Sequence, residues 1–178
     1  MIDCNQTAQT TWQSNLKPNH IVAFRFPHER KSSVSPKVRP TLVLDVLTIG
    51  EERYAVLAYG TSSFRRRSHD LLVPVNCSVE LEAASLFAPT KFDGARRILV
   101  PLSDAGFSCS CKLSTPILGH LTGMSADRVD IVRRGIRQGA RPRRSTLYRR
   151  WPDRNGRKSE TETHQFHTLT QAREAYHV

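Results

Sequence analysis

Arg39 heads an apolar run, just before Pro40, and Thr61-Ser62 closes the next one. A guanidinium fork facing two hydroxyls suits the gripping of phosphate: arginine supplies bidentate donors and permanent charge, and the hydroxyls add neutral donors. Arginine at a strand start is also commonly solvated, and Gly-Thr-Ser-Ser is commonly a turn, so these residues alone leave both readings open. Other chemistries find less support. Cys109 and Cys111 are two apart, Cys4 and Cys77 are remote, and no Cys-x-x-Cys pair exists, so no metal site is expected and the thiols read as reduced, small and buried. There is no Gly-rich phosphate loop, no His-Glu-x-x-His and no Gly-x-Ser-x-Gly, which removes the usual nucleotide-binding, zinc-protease and hydrolase classes. No cofactor is expected.

The elements that must hold Arg39 and Thr61 read as short strands. His20 to Phe26 alternates Val22, Phe24 and Phe26 with their neighbours, and Pro27 ends it. Pro27 to Lys37 is a basic flap with almost nothing to bury, containing His28, Glu29, Arg30, Lys31 and Lys37. Val38 to Ile49 and Arg53 to Gly60 form a hairpin turned at Ile49-Gly50-Glu51, which brings Arg39 and Thr61 to one open end beside the flap. Asp70 to Val75 and Arg97 to Leu102 are a fourth and a fifth strand, and short antiparallel strands of this kind favour a small barrel. One helix is expected, with Ser125 as its N-cap, Asp127 in its first turn, Val129, Val132 and Ile136 on one face, and Gly139 ending it. Phe166, Leu169 and Ala172 are at helical spacing in a possible short helix near the end.

The chain has 178 residues, 27 Lys+Arg against 16 Asp+Glu, and a formal net charge of +11. Its 38% hydrophobic content can bury a core, which argues for one folded domain with appendages. The excess charge is concentrated: from Arg133 to Lys158 there are eleven basic residues and one acid, Asp153, while the rest is near neutral. That segment reads either as a solvated tail or as a contact for polyphosphate, with Tyr148 and Trp151 available to stack on unpaired bases. The expected organisation is a polar leader over 1–18, a domain over 19–139 and a basic tail over 140–178. No apolar run approaches the roughly 20 residues of a membrane helix. Residues 1–19 lack a secretory pattern, so a cytoplasmic protein is expected.

The words Lys37-Val38-Arg39-Pro40-Thr41-Leu42-Val43-Leu44 and Val56-Leu57-Ala58-Tyr59-Gly60-Thr61-Ser62-Ser63, in this order and separation, resemble the MazF/PemK family of toxin ribonucleases. The first strand through Phe26-Pro27 is similar to that family's opening strand before its mobile loop. Pro89-Thr90-Lys91-Phe92-Asp93 and Pro116-Ile117-Leu118-Gly119-His120-Leu121 resemble later parts of PemK-like members. The resemblance covers about residues 19–138. It implies a mainly β fold with a C-terminal helix, an SH3-like small barrel, and a homodimer. It further implies metal-independent cleavage of single-stranded RNA by 2′-OH attack, and an acidic antitoxin protein as partner. Carried over by position, Arg39 is the family's catalytic arginine and Thr61 its hydroxyl residue, with Ser62 a further donor. Family members often carry an acid shortly before the arginine. Here Glu29, with His28 beside it, is ten residues upstream, and His69 and Asp70 are alternatives for the base. Lys37 and the run Arg65-Arg66-Arg67 are candidates for flanking RNA phosphates. A barrel that binds RNA or regulates without cutting it, and a barrel whose basic tail binds an acidic protein, are the rival expectations.

Overall fold

The computed structural model describes residues 12–26, 36–63, 69–109 and 114–139. His28, Glu29, Arg65, Arg66, Arg67 and the tail from 140 onward lie outside the described residues.

Among the described residues the named elements follow in the order β1 (His20–Phe24), β2 (Arg39–Ile49), β3 (Glu52–Thr61), β4 (Leu72–Val75), α1 (Ser78–Ala83), β5 (Thr90–Pro101), β6 (Ile117–His120) and α2 (Gly123–Arg137). All pairings are antiparallel, and the strands lie in the order β4-β5-β3-β2-β1-β6. The β2–β3 hairpin forms where the sequence places it. Its apolar arms meet through a tight turn in which Gly50 takes φ 62°, a left-handed conformation that a side chain would strain.

The sheet is open, which corrects the expectation of a closed barrel. Its edge strands β4 and β6 do not pair, because α1 and the turn after it occupy the gap between them. A Cβ on Gly119 would lie 2.2 Å from the Ala83 carbonyl oxygen, so this approach requires glycine. Ser85 Oγ donates to the Leu118 carbonyl at 2.7 Å, which occupies one acceptor of the β6 edge.

Each face of the sheet carries its own apolar cluster. On one, Leu42, Leu44, Val56, Ala58, Val73 and Phe92 meet Val129, Val132 and Ile136 of α2, the helix stripe that the sequence predicts. On the other, Val22, Phe24, Val43, Leu57, Ile98 and Val100 pack with Trp12, Leu16 and Phe107. Trp12 and Leu16, read from sequence as part of a polar leader, are therefore core residues. A helical turn at 12–15 holds them in place, with Gln13 donating to the Leu102 carbonyl at 2.9 Å and Arg53 donating to the Gln13 carbonyl.

Helix α2 starts earlier than the sequence suggests. Thr122 is the N-cap and makes no side-chain cap bond, whereas Ser125 sits in the first turn. Its N–H donates to Glu80 Oε1 at 3.1 Å and its hydroxyl to Glu80 Oε2 at 2.6 Å. A carboxylate from α1 thus satisfies a helix-start donor and meets the positive end of the dipole. Arg128 donates to the carbonyls of Leu72 and Asp70, and Arg133 and Arg137 reach buried Asp45 at 3.2 and 3.0 Å. Two of the eleven basic residues assigned to the charged segment are therefore engaged within the fold. Gly139 takes φ 95° just past the helix end, as its type predicts. Cys77 and Cys109 are exposed, contrary to the expectation of buried thiols. No helix among the described residues is long and apolar enough to cross a membrane.

Candidate functional site

The β2–β3 register places Thr41 opposite Tyr59, and the alternation of side chains along each strand from that pair brings Arg39 and Thr61 to the same face at the same end. Between them Gly60 lets the strands close, since a Cβ there would stand 2.2 Å from the Pro40 carbonyl oxygen. On the other side of β3, Thr61 pairs with Lys91 and Tyr59 with Asp93. Paired residues in an antiparallel sheet share a face. Arg39, Tyr59, Thr61, Lys91 and Asp93 therefore lie together at one end of the sheet, on the side of the Trp12 cluster.

The ladder breaks beside Tyr59. Ala58 pairs with Arg97 but Tyr59 pairs with Asp93, so Gly94, Ala95 and Arg96 form a bulge in β5 at this register shift. Asp93 folds this bulge over itself: Oδ1 accepts the backbone N–H of Ala95 at 3.0 Å and that of Arg96 at 3.3 Å. The bulge carries Arg96 across the Tyr59 ring, with the guanidinium carbon 3.6 Å from the ring centroid and 5.5 Å from that of Phe26. Phe26 and Tyr59 meet edge to face at 5.2 Å. The Arg39 guanidinium lies 6.0 Å from the same Tyr59 centroid, at the reach of a cation–π contact. Arg96 is 6% exposed and Arg39 only half-buried, so the second arginine is the one open to a ligand. Among the described residues the Arg39 guanidinium makes no hydrogen bond or ion pair.

Of the residues singled out from sequence, Arg39 and Thr61 come together at the open end. Thr61 Oγ1 accepts the Ser63 N–H at 3.1 Å, which leaves the hydroxyl proton free to donate elsewhere. Ser62 and Lys37 are exposed. Asp70 is exposed and its carbonyl serves Arg128. His69 Nδ1 accepts the Leu71 N–H at 3.2 Å, and Nε2 lies 3.1 Å from Asp93 Oδ1 but off the line of a hydrogen bond. The segments bearing His28, Glu29 and Arg65 to Arg67 join β1 to β2 and β3 to β4. Of the described strand ends that flank these segments, Phe24 pairs with Arg39, and Thr61 closes β3 at the same end of the sheet. Among the described residues no three His, Cys, Asp or Glu side chains gather as ligands for a metal ion.

Sequence reading missed Tyr59, Asp93 and Arg96 as site residues, and missed the first half of β5 as a strand. The expected strand began at Arg97, whereas β5 begins at Thr90. Polar Thr90, Lys91 and Asp93 obscure the apolar alternation there, and the bulge then breaks the period of two. The available signal was Asp93-Gly94 set between Phe92 and Ile98, which marks a kink inside a strand.

The site defined by this geometry is an aromatic and arginine cluster at a sheet end, a form suited to a phosphate-bearing ligand. No protein-family model matches the chain, and no curated protein does.

Proposed function

We propose that this chain is an endoribonuclease of the MazF/PemK kind, which cuts single-stranded RNA without a metal ion and is restrained by an acidic antitoxin protein. The carrying observation is Arg39: a half-exposed arginine steadied against Tyr59, with its donors uncommitted among the described residues, beside the hydroxyl of Thr61 and across the strand from Lys91. Such a fork takes a phosphate by two parallel hydrogen bonds. In the reaction the ribose 2′-OH gives its proton to a base and attacks the adjacent phosphorus, the bond to the 5′-oxygen breaks as that oxygen takes a proton from an acid, a role proposed for Arg39, and a 2′,3′-cyclic phosphate and a free 5′-OH result. Arg39 stabilises charge on the phosphoryl oxygens, and Thr61 and Ser62 hold the phosphate in line for attack. Glu29 and His28 are the proposed base, with Lys37 and Arg65 to Arg67 on flanking phosphates. The family kinship, its SH3-like form and a homodimer belong to the same proposal.

A second reading, an RNA-binding module without catalysis, is favoured by one observation: of the two alternative bases within the described residues, Asp70 is exposed and His69 uses Nδ1 to accept the Leu71 N–H. One experiment separates the two. Purified protein is incubated with a mixed-sequence RNA in EDTA and the product ends are mapped. Cyclic phosphates and 5′-OH ends are expected. Cleavage that appears only with added magnesium overturns the mechanism, and binding without cleavage establishes the second reading.

A further inference from the structure

The bulge in β5 gives Asp93 a task that the proposed reaction does not assign to it. Its carboxylate is buried, 3% exposed, and its Oδ1 accepts the N–H groups of Ala95 and Arg96, with His69 Nε2 nearby at 3.1 Å. A second set of bonds clamps the bulge from the far side. Gly94 donates its N–H to the Leu71 carbonyl at 2.8 Å, and Arg97 Nη1 donates to the Gly94 carbonyl at 2.9 Å. A side chain at Gly94 would meet Val132 of α2 at 2.8 Å and the Leu71 carbonyl at 2.9 Å, so the bulge has no room to shift toward the helix. Leu71 in turn holds His69 through its N–H. Leu71 thus ties the bulge at Gly94 to His69, which stands beside Asp93. The long side chain that the bulge sends toward the site face is that of Arg96, whose guanidinium carbon stands 3.6 Å from the Tyr59 ring centre.

Resting on the reading that the Tyr59 end is the RNA site, we propose that Asp93 is a positioning residue: by accepting the Ala95 and Arg96 N–H groups it fixes Arg96 on Tyr59, and so fixes the ring against which Arg39 is set. Arg96 itself, buried against Phe26 and Tyr59, backs the ring on which Arg39 is set, so that the Arg39 fork meets the phosphate in a fixed place. A cation set in advance contributes more than one that must be gathered when RNA arrives, because no reorganisation is needed during the reaction.

The test compares Asp93→Asn and Asp93→Ala in the full chain. Asparagine keeps an acceptor oxygen for both N–H groups, and alanine keeps none. The first readout is NMR of the Arg96 side chain, whose δ-methylene and Nε–H resonances should be shifted upfield by the Tyr59 ring current. Asp93→Ala should return them to ordinary positions and lower kcat on RNA at least ~10-fold with a smaller change in KM, as expected for misplacement of preorganised charge. Asp93→Asn should keep the ring-current shift and stay within about threefold of the wild-type kcat, a small cost beside the loss of both acceptors. Unmoved Arg96 resonances in Asp93→Ala, or an Asp93→Asn protein as impaired as the alanine variant, overturn the proposal. If Asp93→Ala does not fold, Arg96→Gln takes its place: it leaves the Asp93 bonds intact and should lower kcat to a similar degree, and full activity in that variant also overturns the proposal. A wild-type protein that cuts no RNA defeats the ribonuclease reading instead, while the NMR comparison still decides whether Asp93 places Arg96.

Discussion

At the scale of single residues, Arg39 combines exposure with a fixed backbone position. Its carbonyl accepts from Thr41 Oγ1 at 3.2 Å, and its guanidinium has only the Tyr59 ring for company among the described residues. Arg39→Ala should therefore leave the melting temperature nearly unchanged and lower cleavage at least ~100-fold, the scale of losing one preorganised charge donor in a transition state. Unchanged cleavage by a folded variant removes Arg39 from the site. Thr61→Val should be milder, about 1 to 2 kcal/mol of transition-state stabilisation, because it deletes one neutral donor and also the acceptor for the Ser63 N–H. Single-turnover rates on one RNA substrate compare the two. Arg39 and Thr61 were legible from sequence because each borders an apolar run, where the change in residue type is conspicuous. Tyr59 is hidden within such a run, and Asp93 and Arg96 sit where a bulge destroys the alternation on which the reading depends. Their roles come from a register shift of three residues, which no local pattern encodes.

At the scale of elements, the helix that closes the fold depends on a contact with α1, 45 residues away in sequence, between Glu80 and Ser125. Sequence reading gave α2 its apolar stripe and its glycine end correctly. It placed the start at Ser125 because a serine before an apolar stripe resembles a cap, and the true partner of that serine is too distant to be seen locally. Helix α1 offered no stripe at all, since its one buried residue is the charged Glu80. Glu80→Ala should cost about 1 to 3 kcal/mol in urea unfolding, the cost of leaving buried donors unsatisfied, and Glu80→Gln less. At the opposite edge, His20 of β1 pairs with His120 of β6. Burial, then the charge of His120 and that of Lys17, push the His20 pKa below its ordinary value. The unfolded chain therefore binds a proton more readily than the folded one. Stability from this group is present above the ordinary histidine pKa of about 6.5, and is lost as pH falls from there through the lowered folded value. Unfolding midpoints measured from about pH 7.5 down to about pH 5 should fall, and His20→Gln should flatten that part of the curve. An equally steep curve in the variant assigns the effect to another group.

For the molecule as a whole, sequence reading recovered the mainly β character and the C-terminal helix, and erred on closure. Strand count and length favour a barrel, but whether the two edges meet depends on what lies between them. Here α1 fills that gap through a glycine on β6 whose meaning is visible only in three dimensions. Charge follows a similar division. Arg133 and Arg137, counted with the basic segment, hold α2 to Asp45, so the surplus available to a polyanion lies mainly in residues 140–178, which carry eight of the eleven basic residues between Arg133 and Lys158. Neutralising phosphate with arginine is blind to sequence, and on a single strand each contact adds about −0.7 to the slope of log affinity against log salt. A chain ending at residue 139 keeps all of α2 together with the Arg39 and Tyr59 cluster. It should bind RNA more weakly at low salt, show a shallower salt slope, and cut at the same positions as the full chain. An acidic peptide that competes with RNA should keep doing so against the shortened protein if both occupy the Arg39 end of the sheet, and should lose its hold if the tail is its real partner. A changed cleavage motif would assign base reading to Tyr148 or Trp151. An identical salt slope would mean that these eight residues make no contact with RNA, and either result defeats the assignment of a non-specific tether to the tail.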